Sequence, residues 1–576
     1  MRLPEARRRA AALGAWLDGR PGWQVLGPLV VTQWVLVAAL ALSVSHNGWL
    51  FYQGGDQTWL YSTAYSLSLG DIPASYVGYG WSYLLAPIAW VAGPSFLAAL
   101  PGIVLFQQLV LVPIALLSVY GILASLGGKR LGYFGAAVWI TAPFLAIPLF
   151  EQRYHERYVE QFLPQALGLT GMADFPSMVL LLAASCLVLR ALDTRDELEI
   201  ALAGLLVGFA IGVKPANAIF LAAPFLALAL ARRRTSLVVF ALALVPAVTT
   251  LALWKFTGLG TLPLLNADAA APGAGGDLPG VSPPGVSPPD VSLPDVSFPG
   301  VSLPAGLGRY IDVDWGRIGS ELDQVREYFY SVRFLEWLAL AGTLAVARRS
   351  IPKAAFIATW LFAFLIVKGL SDVASVQSGS TWRLIMPGFP PLLLSAAALP
   401  LLLARKRRAG PTVAPLFRGR SRLAAFAAAA AVLALGPAVL IARSGDAGSR
   451  ILRHPTEGTL ITADLSWQPR VGSADGAVRL TWPRPDAGAS HPYYVVFRVL
   501  RETDIRCESH GDSQSSCIFD TDQAFVTRAR TLTDHPPDGT WTYRIGLAAN
   551  WRDLAGFGDV LMVGAPLTVN VPHRRS

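Results

Sequence analysis

A polytopic α-helical membrane protein followed by an all-β sandwich is the fold class this sequence predicts, on three observations. Of its 576 residues, 53% are hydrophobic and only 15% charged, with a mean hydropathy of +0.46. Soluble domains carry about 25% charged residues. Apolar runs of about 20 residues recur along the first 445 positions, which excludes a soluble enzyme and a single-anchor protein. From about Arg453 the chain turns charged, polar and strand-patterned.

The net charge is 47 − 38 = +9. A nucleic-acid binder would gather that excess on one soluble face, whereas here it sits in short clusters between apolar runs, as orientation signals do. No nucleic-acid partner is expected. Three cysteines exclude a disulfide-rich scaffold and a Cys-based zinc site. Only six of the 47 basic residues are Lys, a composition that suggests a high-GC bacterium.

The first 26 residues form a basic N-terminus, too long and too charged for a signal peptide, so the first apolar run is read as a retained span. Lys129/Arg130, Arg190/Arg195, Arg232–Arg234, Arg348/Arg349/Lys353 and Arg405–Arg408 with Arg418, Arg420 and Arg422 all fall on the side of that N-terminus. No Lys or Arg occurs from His46 to Gly128, so the opposite face is extracytoplasmic. About eleven spans fit, near 27–46, 99–126, 131–150, 174–192, 198–213, 215–231, 235–256, 333–348, 353–370, 384–404 and 423–442. Around Gly212-Val-Lys214-Pro215 the pattern suits either a tight hairpin or one broken helix. An odd count puts the tail outside the plasma membrane.

The first outer loop, 47–98, carries Trp49, Trp59, Trp81 and Trp90, with five Tyr between Tyr52 and Tyr79. It reads either as an interfacial aromatic belt or as a sugar-stacking surface. Between Leu278 and Pro304 a pentapeptide, P-[GD]-V-S-[PLF], repeats five times. Pro at every fifth position denies it helix and central strand, so it is read as an extended insert without a catalytic part. Residues 312–330 suggest a short helix returning to the membrane.

In the tail, Ala477-Val-Arg-Leu-Thr-Trp482, Tyr493 to Leu500 and Thr540 to Asn550 alternate apolar and polar residues between turns. With Trp482 on an early strand and Tyr543 in a Y-R-I-x-L-A-x-N strand, residues 453–572 resemble a fibronectin type III β-sandwich, whose core Trp and tyrosine corner these would be. Cys507 and Cys517 lie ten positions apart, and on an oxidising face they should pair. Cys186, alone in a span, is read as packing.

The outer face of the helical region carries the polar motifs. Gly54-Gly-Asp56-Gln-Thr-Trp-Leu-Tyr61-Ser-Thr-Ala64 is followed by Leu69-Gly70 and by Gly78-Tyr-Gly-Trp-Ser-Tyr-Leu-Leu-Ala-Pro87. Ala173-Asp174-Phe-Pro176, Gly208-Phe-Ala-Ile-Gly212-Val-Lys214-Pro215 and Trp382-Arg383-Leu-Ile-Met-Pro387 come later. In this order residues 25–405 resemble the GT-C superfamily, multispan glycosyltransferases that use lipid-phosphate-linked sugars, and the transmembrane domain is read as 27–445. The resemblance implies an outer-face site with Asp56 as the acidic residue after span one and Asp174 as a second acid near the sugar.

The chemistry accounts for these residue types independently. Transfer from a polyprenyl-phosphate sugar needs a base for the acceptor hydroxyl, a part that Asp56 can play. It also needs cations where charge accumulates on the departing phosphate. Arg383 can grip phosphate bidentately and Lys214 can act as a point charge. An ionisable residue inside an apolar span is costly, which singles out Lys214, although snorkelling to the interface is the other reading. Asp56 and Asp174 are equally placed to cap the helices that follow them. Glu151, Arg153 and His155, in a charged cluster after span three, are substrate-binding candidates, as are Tyr61 and Trp382, with a solvated loop as the alternative for the cluster. Some GT-C enzymes hold a divalent metal with paired acids in the first loop. Here Gln57 follows Asp56, the pair is missing, and no metal or other cofactor is expected.

The leading reading is an inverting glycosyltransferase whose partners are a lipid-phosphate-linked sugar donor and a glycan, lipid or protein acceptor of the cell envelope. The alternatives are a transporter or lipid flippase and a non-catalytic envelope assembly protein. A transporter should show repeat symmetry between its halves, and none is visible here.

Overall fold

The computed structural model describes residues 12, 14–43, 56–70, 72, 78–93, 96–149, 158–259, 319–320, 323, 332–369, 380–403, 420–444, 449–451, 456–464, 467, 469–474, 477–484, 493–499, 505–510, 514–519, 523–527, 529–536, 538–548 and 562–571. The Pro-rich repeat lies outside that set, as do Glu151, Arg153 and His155.

Every described element of the first 444 residues is helical. In chain order come α1 (Gly22–Ser43), α2 (Asp56–Ser68), α3 (Tyr79–Ala92), and α4 (Phe96–Phe106), which continues through a π-helical turn (Gln107–Leu111) into α5 (Val112–Gly127). Next are α6 (Lys129–Leu145), α7 (Asp174–Thr194) and α8 (Glu197–Val213). A 3₁₀ segment (Pro215–Leu221) leads into α9 (Ala222–Leu230), followed by α10 (Arg234–Leu259), α11 (Val332–Ala347) and α12 (Ile351–Gly369). The last helices are α13 (Ser380–Ile385), α14 (Pro390–Ala398), and α15 (Arg420–Ala430), which passes through a second π turn into α16 (Gly436–Arg443). Five of these stretches are long and apolar enough to cross a membrane, and four more are shorter apolar helices. They fit a polytopic helical membrane protein.

Local chemistry sets the breaks between helices. Asp196 precedes α8 and its carboxylate accepts from the Leu198 N–H at 3.1 Å, while Glu197 and Glu199 place negative charge at the positive end of the helix. At the other end Pro215 has no N–H to donate and pushes Lys214 into extended geometry, φ −141° and ψ 108°. The Lys214 N–H and the Asn217 side-chain amide then share the Ala210 carbonyl, at 2.9 and 2.7 Å. Gly212-Val-Lys214-Pro215 is therefore a sharp break between α8 and the 3₁₀ segment.

Helix α7 is the axial pillar, buried along nearly all of its 21 residues, which span about 30 Å. Small residues let its neighbours approach closely. A Cβ on Gly204 would meet the Phe240 carbonyl at 2.7 Å, and one on Gly208 would meet Ala247 Cβ at 2.9 Å, so α8 packs on α10 nearly backbone to backbone. Charged groups collect at two opposite ends of the bundle. At the basic end Lys353 reaches Asp193 at 2.6 Å and the Ser125 carbonyl at 3.1 Å, and Arg349 reaches the Leu126 carbonyl at 3.1 Å. These cations neutralise the carbonyl end of α5. Arg190 pairs with Glu199 at 3.0 Å beside them. Asp174, Lys214 and Arg383 occupy the opposite end.

Within the first long loop α2 and α3 pack against each other, and Tyr79–Ala92, read from sequence as a loop leading to span two, is a helix whose Trp81, Tyr79 and Leu85 are fully buried.

Beyond residue 444 every described element is a strand. Strands β3 (Arg470–Ala474), β4 (Ala477–Thr481) and β9 (Thr531–Asp534) form one sheet in the order β3-β4-β9. The larger sheet contains β8 (Gln523–Thr527), β5 (Tyr493–Val499), β10 (Gly539–Ala548) and, beside β10, β12 (Leu567–Val571). The two inner faces meet over Leu480, Trp482, Tyr494, Val496, Leu532, Tyr543 and Ile545. Tyr543 donates to Asp534 at 2.7 Å, and Arg498 pairs with the same carboxylate oxygen at 2.9 Å while lying over the Trp541 ring. Burial raises the Tyr543 hydroxyl above the usual phenol range. Strand β1 (Ser449–Ile451), which pairs with β8, lies against α2.

Candidate functional site

Three residues singled out in the sequence meet at the Asp174 end of the bundle. Lys214 Nζ donates to Asp174 Oδ1, and Arg383 Nε lies 3.7 Å from Asp174 Oδ2. They come from three separate places: the first turn of α7, the break after α8, and α13. The carboxylate side chain is 3% exposed, whereas Lys214 and Arg383 are 23% and 31% exposed. A buried acid thus holds two cations that face outward. Such an arrangement can receive an anion, because both cations keep part of their side-chain surface exposed.

Each residue is fixed by packing that the sequence explains. Arg383 sits on a short helix held by the Met386–Gly388 turn, whose Pro387 carbonyl accepts from Trp360 Nε1 at 2.9 Å. Lys214 is positioned by α3: a Cβ on Gly78 would collide with the Gly212 and Val213 carbonyl oxygens, and one on Gly80 would meet Val213 at 2.7 Å. The glycines of the two motifs are therefore each other's packing surface.

Asp174 is positioned by a clamp that sequence reasoning missed. Residues 167–173 are non-helical and buried, so their main-chain groups need partners. Gln107 Nε2 donates to the Thr170 carbonyl at 2.6 Å, and Gln57 Oε1 accepts from the Gly171 N–H at 2.7 Å. Those are the two sides of one peptide group. Trp81 Nε1 donates to the Gly171 carbonyl at 2.8 Å, and Gln108 Nε2 to the Leu167 carbonyl at 2.6 Å. Gln107 and Gln108 stand on the π turn between α4 and α5, a local widening often found at functional sites. The available signal was a pair of amides inside an otherwise apolar run.

The remaining candidates fall differently. Asp56 is the first residue of α2 and Trp382 lies beside Arg383 in α13, but the side chains of both are outside the described set. Asp56 adjoins Gln57, and so stands one residue from the clamp on Gly171. Tyr61 is fully buried with its hydroxyl donating to the Gly93 carbonyl at 2.6 Å, a packing position that leaves no surface for a substrate.

Asp174 is engaged by two positive side chains, the Gln57 oxygen is taken by a main-chain N–H, and among the described residues no three His, Cys, Asp or Glu side chains gather.

No protein-family model and no curated protein matches the chain. Among solved structures it is similar to the Archaeoglobus fulgidus oligosaccharyltransferase in complex with Zn and sulfate, at 16% identity and a TM-score of 0.37, over 72% of this chain and 53% of that one. It is also similar to archaeal oligosaccharyltransferase AglB from Archaeoglobus fulgidus in complex with an inhibitory peptide and a dolichol-phosphate, at 14% identity and a TM-score of 0.34, over 72% and 56% of the two chains. The chain spans about half the length of these structures.

Proposed function

We propose that this protein is an inverting, metal-independent GT-C-type glycosyltransferase that moves a sugar from a polyprenyl-phosphate donor to a glycan, glycolipid or protein of the cell envelope. The observation that carries the reading is the convergence of Lys214 and Arg383 on Asp174, leaving two accessible cations at one end of the bundle. In this reading they hold the donor phosphate and stabilise the charge it gains as the glycosidic bond breaks. Asp56 removes the acceptor proton, and a single displacement at the anomeric carbon inverts its configuration.

Topology follows the same reading. With the basic end cytoplasmic, the eleven apolar segments of the sequence, taken as crossings, put the Asp174 end and the tail outside the plasma membrane. The contact of β1 with α2 supports a tail on the same side as Asp56. The tail is read as a fibronectin type III-like sandwich on its β3-β4-β9 sheet facing β8-β5-β10-β12, with Trp482 and Tyr543 in the shared core.

The test is transfer in vitro by the purified full chain, using a panel of lipid-phosphate sugars and envelope acceptors. Turnover with one donor supports the reading. Absence of transfer or donor hydrolysis across the panel, in protein that binds the lipid phosphates, counts against it.

A further inference from the structure

Among the described residues, three charged side chains meet at the site, Lys214 and Arg383 against Asp174. Their burial is unequal. A ligand arriving from outside meets the two cations at 23% and 31% exposure, while the carboxylate behind them is 3% exposed. Asp174 is too deeply buried to leave, because a stranded carboxylate there would be an unpaired internal charge. It therefore subtracts one charge from the site permanently, whatever anion is bound.

We propose that Asp174 is a charge-selectivity residue, which tunes the Lys214–Arg383 site for a singly charged phosphodiester and against a diphosphate. The proposal rests on the reading of that pair as an anion site and names which class of anion it takes. A sugar joined to a lipid through one phosphate is a diester with a single negative charge. A phosphomonoester carries between one and a half and two charges at neutral pH, and a lipid diphosphate carries more. Two bare cations would favour the more highly charged ligand through Coulomb attraction, and the fixed carboxylate behind them removes most of that advantage. The Gln57–Gly171–Gln107 clamp holds the chain three residues before Asp174, which keeps the carboxylate from swinging toward solvent.

The experiment measures affinity of the detergent-solubilised full chain for three probes on one short polyprenyl chain: a methyl phosphodiester, a monophosphate and a diphosphate. Inorganic phosphate and pyrophosphate form parallel arms that separate a lipid headgroup from a free anion. In Asp174→Asn the diphosphate-to-diester affinity ratio should rise by about tenfold or more for each added ligand charge. Lys214→Gln should move the ratio the other way, and Asp174→Glu should keep the wild-type ratio. A shift in either the lipid or the free-anion arm supports the proposal. A parallel loss or gain for all probes in Asp174→Asn, with Asp174→Glu no different from it, overturns selectivity while leaving the anion site intact. If wild type binds none of the probes, the anion site fails and the proposal with it.

Discussion

The side-chain oxygen of Gln57 accepts a hydrogen bond from the main-chain N–H of Gly171 at 2.7 Å, joining the helix that Asp56 opens to the loop that ends at Asp174. Both groups are buried, so the bond has no water substitute. Gln57→Leu should orphan the Gly171 N–H and cost about 1–3 kcal/mol, whereas Gln57→Glu keeps an acceptor in place. Thermal melts in detergent, with hydrogen exchange over residues 167–174, measure both effects. Equal stability and equal protection in Gln57→Leu and wild type would show that the clamp does not hold this loop.

The basic end offers a second test. Lys353 is buried against Asp193 and the Ser125 carbonyl, and Lys353→Met removes both contacts while keeping the chain length. Asp193 is 43% exposed and can be rehydrated, so the expected loss is moderate, about 1–3 kcal/mol. A melting temperature unchanged from wild type would contradict the assignment of Lys353 as a cap on α5.

At the site, stability and binding should separate. Lys214→Ala strands the Asp174 carboxylate in a buried position and should destabilise the protein by roughly 3–5 kcal/mol. Arg383→Ala, whose partner lies at 3.7 Å and keeps Lys214, should cost less stability but weaken donor affinity by roughly 2–4 kcal/mol. The double variant Lys214→Ala/Asp174→Ala should regain stability without regaining donor binding. A double-mutant cycle with zero coupling energy would mean that the two residues do not act as a pair.

The bundle was largely legible because apolar run length and Lys/Arg placement report the membrane directly. Residues such as Pro215 and Asp196 mark helix ends by chemistry that acts within one turn. Lys214 and Arg383 were visible because a charge beside an apolar run is expensive anywhere. What joins them was not. Pairing Gln57 with Gly171, or Gly78 with Gly212, depends on contacts between segments more than 100 positions apart, and neither amides nor glycines carry a periodic signal. Tyr61, a substrate-binding candidate from its polar motif, is fully buried in the bundle, which its sequence context does not signal.

Cys507 and Cys517 face each other in the antiparallel β6 (Ile505–His510) and β7 (Gln514–Phe519) pair. Directly opposed residues in such a ladder have Cα atoms about 4.5–5.5 Å apart, within the range a disulfide spans. Non-reducing peptide mapping of protein from intact cells should recover them linked. Two free thiols would argue against an oxidising location for the tail, and so against an odd number of crossings.

The sharpest prediction concerns Asp56. It opens α2 beside Gln57, so the clamp on Gly171 fixes its backbone near the segment that carries Asp174. Asp56→Asn keeps the size of the side chain and its capacity to cap the first turn of α2, so folding should survive. The substitution removes the carboxylate base, whose loss lowers rate by about 10² to 10⁴-fold. Donor affinity should stay near wild type, because Lys214 and Arg383 are untouched, and this separates a base from a donor ligand. Purified wild type and Asp56→Asn, matched for melting temperature, should therefore differ in turnover with a cognate lipid-phosphate sugar and agree in binding it. Near-wild-type turnover in Asp56→Asn would move the base to Asp174 or Glu151. Joint loss of stability and activity would make Asp56 a helix cap instead.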